Sequence, residues 1–143
     1  MSEQRIGATE TGRRGAFLTA MAILLGVLAL SDATKALQRM QGPVGGLVIL
    51  GNKIDSIALN AVAGPLFALF LATYVYGIWK MKRWVLPIAT VYAFYVPVNL
   101  VLFWFLHLTP RPTVGFIVVY LFLALTGSVG TALYLNRHHD RLA

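Results

Sequence analysis

Five polar residues stand within or beside otherwise apolar runs: Asp32, Lys35, Asn60, Tyr95 and Asn99. A carboxylate, an ammonium, two amides and a phenol supply donors and acceptors of both signs. That set can hold a polar headgroup, a quinone or another small solute in a shallow outward-facing pocket. Asp32 lies one helical turn from Lys35 and two from Arg39 on one face, which predicts an intrahelical Asp32–Lys35 ion pair. Pairing lessens the cost of charge near a membrane. The same residues also admit a structural use. Lys35 would then reach to the lipid headgroups from an interfacial position beside Asp32, while Asn60 and Asn99 bond across helices. No acid falls at the centre of an apolar run, where a proton or ion pathway needs one.

Other motifs carry less. Asn52-Lys53-Ile54-Asp55 follows an apolar stretch and looks like the Asn-Lys-x-Asp guanine-recognition element of GTPases. The chain holds no Gly-x-x-x-x-Gly-Lys-Ser/Thr loop, so the likeness is chance. The glycines from Gly42 to Gly46 likewise lack the lysine and following helix of a phosphate cradle. His138-His139-Asp140 offers metal-ligand types, but three consecutive helical residues point in different directions, so the stretch reads as a solvated cytoplasmic tail. His107 is the one histidine near a span, which excludes a bis-histidine haem within this chain and leaves only a single axial ligand. Without cysteine there is no thiolate metal site, cysteine nucleophile or disulfide. No paired carboxylates lie within the spans, and no spanning nucleophile has a histidine beside it. An enzyme is not expected, and nothing calls for a metal or cofactor.

The elements that position these residues follow from composition. Of 143 residues 58% are apolar and 12% charged, with a mean hydropathy of +0.73, whereas soluble domains carry about a quarter charged residues. The net charge of +7 flanks apolar runs, which favours a membrane over nucleic acid as its partner. Charge-free stretches run from Gly15 to Ser31, Ser56 to Trp79, Trp84 to Pro110 and Pro112 to Asn136. They predict transmembrane helices at 16–35, 57–79, 84–106 and 113–135. Lipid offers no partner to a free backbone group, and these runs are too long for barrel strands, so helix is forced. The first run resembles a signal peptide, but its helical pattern continues through Lys35 and Arg39, so it is expected to remain uncleaved.

The expected fold is therefore an all-α integral membrane protein, a four-transmembrane antiparallel helix bundle with both termini cytoplasmic. Residues 1–15 form the N-terminal segment, 16–135 the transmembrane domain and 136–143 the tail. Orientation comes from eight basic residues on one side (Arg5, Arg13, Arg14, Lys80, Lys82, Arg83, Arg137, Arg141) against four on the other (Lys35, Arg39, Lys53, Arg111). Trp79 and Trp84 then mark the inner interface and Trp104 the outer one. At about 1.5 Å per residue, Asp32, Asn99 and Asn60 all rise roughly 22–28 Å above the inner ends of their helices, into the outer third.

Tight turns are expected at 80–83 and at 107–112, where Thr109-Pro110-Arg111-Pro112 stands. The outer segment 41–55 has a helix-breaking Gly42–Gly46 run and an apolar Leu47–Leu50 patch, and should lie along the membrane surface or pack on the bundle, with a re-entrant or partner-docking element as the alternative. Small residues form a ridge on the first helix (Ala22, Gly26, Ala29, Ala33, Ala36) and a face on the fourth (Ala124, Gly127, Ser128, Thr131), extended by Tyr120 and Thr113. Inward faces are expected through Asn60, Gly64, Phe67, Leu71 and Tyr74 on the second helix and Tyr92, Tyr95 and Asn99 on the third. Pro65, Pro87 and Pro97 should bend these helices or free carbonyls.

The ridges, the short loops and the scarcity of buried charge favour a structural or accessory subunit that packs against other membrane proteins or a second copy. The alternative is a lipid- or small-solute-binding carrier using the outer polar layer. Compactness and charge asymmetry suit a bacterial inner membrane.

Overall fold

The computed structural model describes residues 3–42, 46–106 and 114–143, with side chains from Gly15 onward except those of Val114 and Phe116. The expectations at Pro43–Gly45, the 107–112 turn, His107, Arg111 and Thr113 lie outside the described residues. The chain is mostly helical, and among the described residues four helices are long and apolar enough to cross a membrane: Gly15–Ala33, Ile57–Trp79, Val85–Leu106 and Ile117–Arg137. These make it an integral membrane protein.

Helix α1 (Glu3–Ala33) is interrupted at Gly15, whose φ of 74° and ψ of 162° only glycine adopts readily. The Tyr134 hydroxyl stands 3.0 Å from where a Cβ would be at Gly15, and the Phe17 and Tyr134 rings lie 5.2 Å apart. The first span was expected to run unbroken past Lys35; instead it stops at Ala33, and α2 (Lys35–Gln41) starts after Thr34. The reason is local competition for carbonyls. The Thr34 hydroxyl lies 3.0 Å from Ser31 O and 3.3 Å from Leu30 O, while its N–H turns to Ser31 O at 3.2 Å.

The described part of segment 41–55 packs on the bundle, one of the two arrangements expected of it, and does so as a hairpin. Strands β1 (Val48–Ile49) and β2 (Asn52–Lys53) form an antiparallel hairpin in which Val48 faces Lys53 and Ile49 faces Asn52. Leu50 (φ 48°) and Gly51 (φ 78°) make its two-residue turn, and Ile54 N–H reaches Leu47 O at 2.8 Å. Positive φ at both central positions matches the twist of a tight hairpin. The hairpin packs on the helices: a Cβ at Gly51 would stand 2.6 Å from the Leu102 backbone.

Helix α3 (Ile57–Trp79) begins at Ser56, whose hydroxyl accepts from Leu59 N–H at 3.3 Å. Helix α4 (Val85–Leu106) follows a turn in which Met81 has φ 50°. Pro87 sits in the first turn of α4, where backbone N–H groups have no helical partner anyway. The last span is α5 (Val114–Leu125), a π-turn over Thr126–Gly130, and α6 (Thr131–Arg137). Two glycines flank Ser128 in that wider turn, and the Ser128 hydroxyl donates to Ala124 O at 2.7 Å.

Helix α1 packs most extensively on α3, α2 also packs on α3, and α4 packs on the π-turn and α6. Their shared core joins Leu18, Ala22, Leu25 and Ala29 to Leu71, Tyr74, Ile78, Val85, Ala89, Tyr92, Ala132 and Leu135. A Cβ at Gly64 would stand 2.5 Å from Asp32 O, so α1 and α3 meet backbone to backbone there. The inward faces expected on the second and third helices are the buried or half-buried ones. The small-residue ridge on the first helix is split. Its buried face centres on Leu18, Ala22, Leu25 and Ala29, which leaves Ala33 exposed and Gly26 at the margin with no atom within 4 Å of its Cβ position. Gly127, Ser128 and Thr131 are buried within this chain.

The tail was expected to be solvated, as the exposed His139, Asp140 and Arg141 are, but its last two residues dock. His139–Arg141 forms a 3-10 turn that buries Leu142. Ala143 N–H donates to Met81 O at 2.7 Å, and Arg83 N–H donates to Ala143 O at 2.9 Å. An apolar residue followed by a free backbone edge finds both its pocket and its partners at the 80–83 turn.

Candidate functional site

A cavity of about 380 Å³ opens between the helices beneath the hairpin. This is within the usual size of small-molecule sites, roughly 300–1,000 Å³. Its wall is mostly apolar, with Leu24, Leu25 and Leu28 from α1, Phe67 and Leu71 from α3, Val96 and Leu100 from α4, and Leu123 from α5. Gly46, Leu47 and Val48 roof it, and Gly127 and Ser128 of the π-turn complete the wall. Polar side chains cluster on the same surface: Asp32, Lys35, Tyr92, Tyr95, Asn99 and Tyr120.

Four of the five residues expected to form a pocket therefore share one. Asp32 and Lys35 make the anticipated pair at 3.8 Å across the Thr34 break. Arg39 does not join them, because it turns to Asp55: its guanidinium lies 3.0 Å from the carboxylate, and its Nε–H donates to the Asp55 carbonyl at 3.1 Å. Asn60 is the residue that the structure separates from the set. It is fully buried and holds the base of the hairpin, accepting from Leu47 N–H at 2.8 Å and donating to Ile54 O at 2.7 Å and Ser56 O at 2.9 Å. Asn99 lines the cavity and also holds the hairpin, accepting from Gly51 N–H at 2.8 Å and donating to Val48 O at 3.3 Å. Among the described residues neither amide bonds across to another helix, the structural role expected of it. Each satisfies backbone groups of an apolar hairpin that has too few strands to satisfy them itself.

Tyr92, Tyr120 and Ser128 are site members that the sequence placed only on packing faces. The spacing of Tyr92, Tyr95 and Asn99 on α4 was the available signal, and Tyr120 needed the tertiary arrangement. The ring centroids of Tyr74 and Tyr92 are 5.6 Å apart and those of Phe67 and Tyr95 6.0 Å, so aromatic faces continue from cavity into core. Among the described residues no hydrogen-bond partner reaches the buried Tyr95 hydroxyl, nor those of Tyr74 and Thr131.

Asp32 and Lys35 are mostly buried, with side-chain exposures of 14% and 19%. Among the described residues no donor reaches the Asp32 carboxylate within hydrogen-bond distance. Leu28, Tyr120 and Leu123 line the cavity and are also exposed on the outside. Helix α1 meets the last span chiefly at the π-turn rather than along α5.

At the opposite end His138 Nδ1–H points to Tyr134 O at 3.0 Å and His139 Nδ1–H to Asn136 O at 3.0 Å, which ties both rings to local backbone. Among the described residues no three His, Asp or Glu side chains gather to hold a metal ion. Comparison with protein-family models, curated proteins and solved structures finds no match to this chain.

Proposed function

We propose that this protein binds a small amphiphilic molecule, admitted from the bilayer, in the cavity beneath its hairpin. The observation that carries this reading is the cavity itself, with a buried ion pair at its wall and the exposed Leu28 of α1 and Leu123 of α5 in its lining, between which we place a window. An apolar wall with a few convergent polar groups is the usual build of a ligand site. The π-turn at the wall adds support, since such widenings recur at functional sites. In this reading the four spans run antiparallel in a bacterial inner membrane, with residues 1–15 and 136–143 cytoplasmic. The eight-to-four division of basic residues supports that orientation. The hairpin then faces outward.

A second reading, an accessory subunit for other membrane proteins or a second copy, is favoured by Gly26 and Ala33, small residues left outside the core of this chain. One experiment tests both. The full chain is extracted in a neutral detergent and its companions are weighed by native mass spectrometry. The ligand reading expects a retained amphiphile that Leu123→Trp, which fills the window, expels from a folded protein. Equal retention by both forms, or none by either, overturns it, and proteins held in fixed ratio support the accessory role.

A further inference from the structure

The Asp32–Lys35 pair is balanced in charge but not in hydrogen bonding. Its atoms stand 3.8 Å apart, beyond a hydrogen bond. Among the described residues the ammonium has only long contacts besides, Ser31 Oγ at 3.5 Å and Gln38 Oε1 at 3.4 Å, and no donor reaches the carboxylate. Both side chains are mostly buried against an apolar cavity. Ions with unmet hydrogen-bonding capacity are costly in such surroundings. A guest that brings an anionic group to Lys35 and a cationic one to Asp32 completes both.

Net charge narrows the guest further. The pair already sums to zero, so a purely anionic or purely cationic guest leaves one ion uncompensated in a medium that screens poorly. A zwitterion leaves none. The rings of Tyr92, Tyr95, Tyr120 and Phe67 line the same cavity, and aromatic faces attract ammonium groups. Leu28 and Leu123 at the window offer an apolar exit for a hydrocarbon chain. Resting on the ligand-binding reading, we infer that the cavity selects the zwitterionic headgroup of a lipid of zero net charge, its ammonium at Asp32 and its phosphate at Lys35.

The test is competitive retention on the full chain in neutral detergent, read by native mass spectrometry. The probes are phosphatidylethanolamine, phosphatidylglycerol with the same acyl chains, a single-chain alkyltrimethylammonium and soluble glycerophosphoethanolamine. Phosphatidylethanolamine should be retained over the charged amphiphiles by about tenfold, the scale of one charge-assisted contact. Asp32→Asn should turn the preference to phosphatidylglycerol, and Lys35→Gln to the alkylammonium. The exchanged variant, Asp32→Lys with Lys35→Asp, should keep the parent's ranking; it and the parent decide the matter if either single variant does not fold. A parent that prefers either charged amphiphile, or single variants that fold and keep its ranking, would overturn the zwitterion while leaving the cavity a ligand site. Displacement by the soluble headgroup at equal concentration would overturn the lipid source. Retention of no probe would remove the ligand-binding reading and this inference together.

Discussion

The two ends of the molecule are closed by different means. At the end carrying the 80–83 turn, the chain closes on itself through backbone bonds between Ala143, Met81 and Arg83 and through the buried side chain of Leu142. At the other end the cover is the β1–β2 hairpin, held to the helices by Asn60 and Asn99, with a cavity beneath it. One end is filled, and the other is roofed. The difference teaches where adaptability resides: a roof that hangs on two amide side chains can be loosened without dismantling the packed core on which α1, α3 and α4 converge.

The largest effect should come from the glycines that set helix contacts near each end. A Cβ at Gly64 meets the Asp32 carbonyl oxygen at 2.5 Å, a backbone atom that can retreat only by moving a helix. At Gly77 it meets the Trp84 ring at 2.7 Å and a Val85 methyl at 2.9 Å, and Trp84 is 40% exposed and free to swing. Gly64→Ala should destabilise by about 3 kcal/mol and Gly77→Ala by about 1 kcal/mol, compared by thermal unfolding in the same detergent. Equal losses would mean that both contacts yield alike.

The next effect separates roof from filling. Asn60→Ala leaves Leu47 N–H and the Ile54 carbonyl without their side-chain partner. It should cost about 2 kcal/mol, felt as faster hydrogen exchange confined to the hairpin amides. Leu142→Ala should cost a similar amount, about 2 kcal/mol, but as an even fall in melting temperature. If Asn60→Ala lowered the whole transition and left hairpin exchange unchanged, the hairpin would belong to the core.

The smallest effect concerns the core between the ends. The Tyr74 hydroxyl is fully buried with no partner among the described residues, so Tyr74→Phe removes a polar group that gains nothing from burial. It should be neutral or stabilising by up to about 1 kcal/mol in the same unfolding measurement. A clear loss would show that the hydroxyl finds a partner in the folded protein.

Much of the helical framework was legible in the residues. The span expected at 57–79 is α3 to the residue, and that at 84–106 differs from α4 by one position. The hairpin was not legible, because Leu50-Gly51 lacks the Asn-Gly or Asp-Gly signature of its turn and each strand has only two residues. The Thr34 break was hidden because the helical spacing of Asp32, Lys35 and Arg39 runs through it. The ion pair was foreseen from helical spacing alone, whereas its place in a cavity with Tyr92 and Tyr120 was not.

What the sequence determined by itself is the set of apolar spans and their lengths. A helix satisfies its own backbone in lipid, so each span is decided one segment at a time. The inward sides of α3 and α4 were marked by their polar, aromatic and small residues, but only the tertiary structure decided which distant groups meet across them, because spacing along one helix does not fix the position of its neighbour. Such contacts between distant residues are Gly64 against Asp32, Asn99 against Gly51, and Ala143 against Met81. They also left the space under the hairpin that side-chain spacing along a single helix does not reveal.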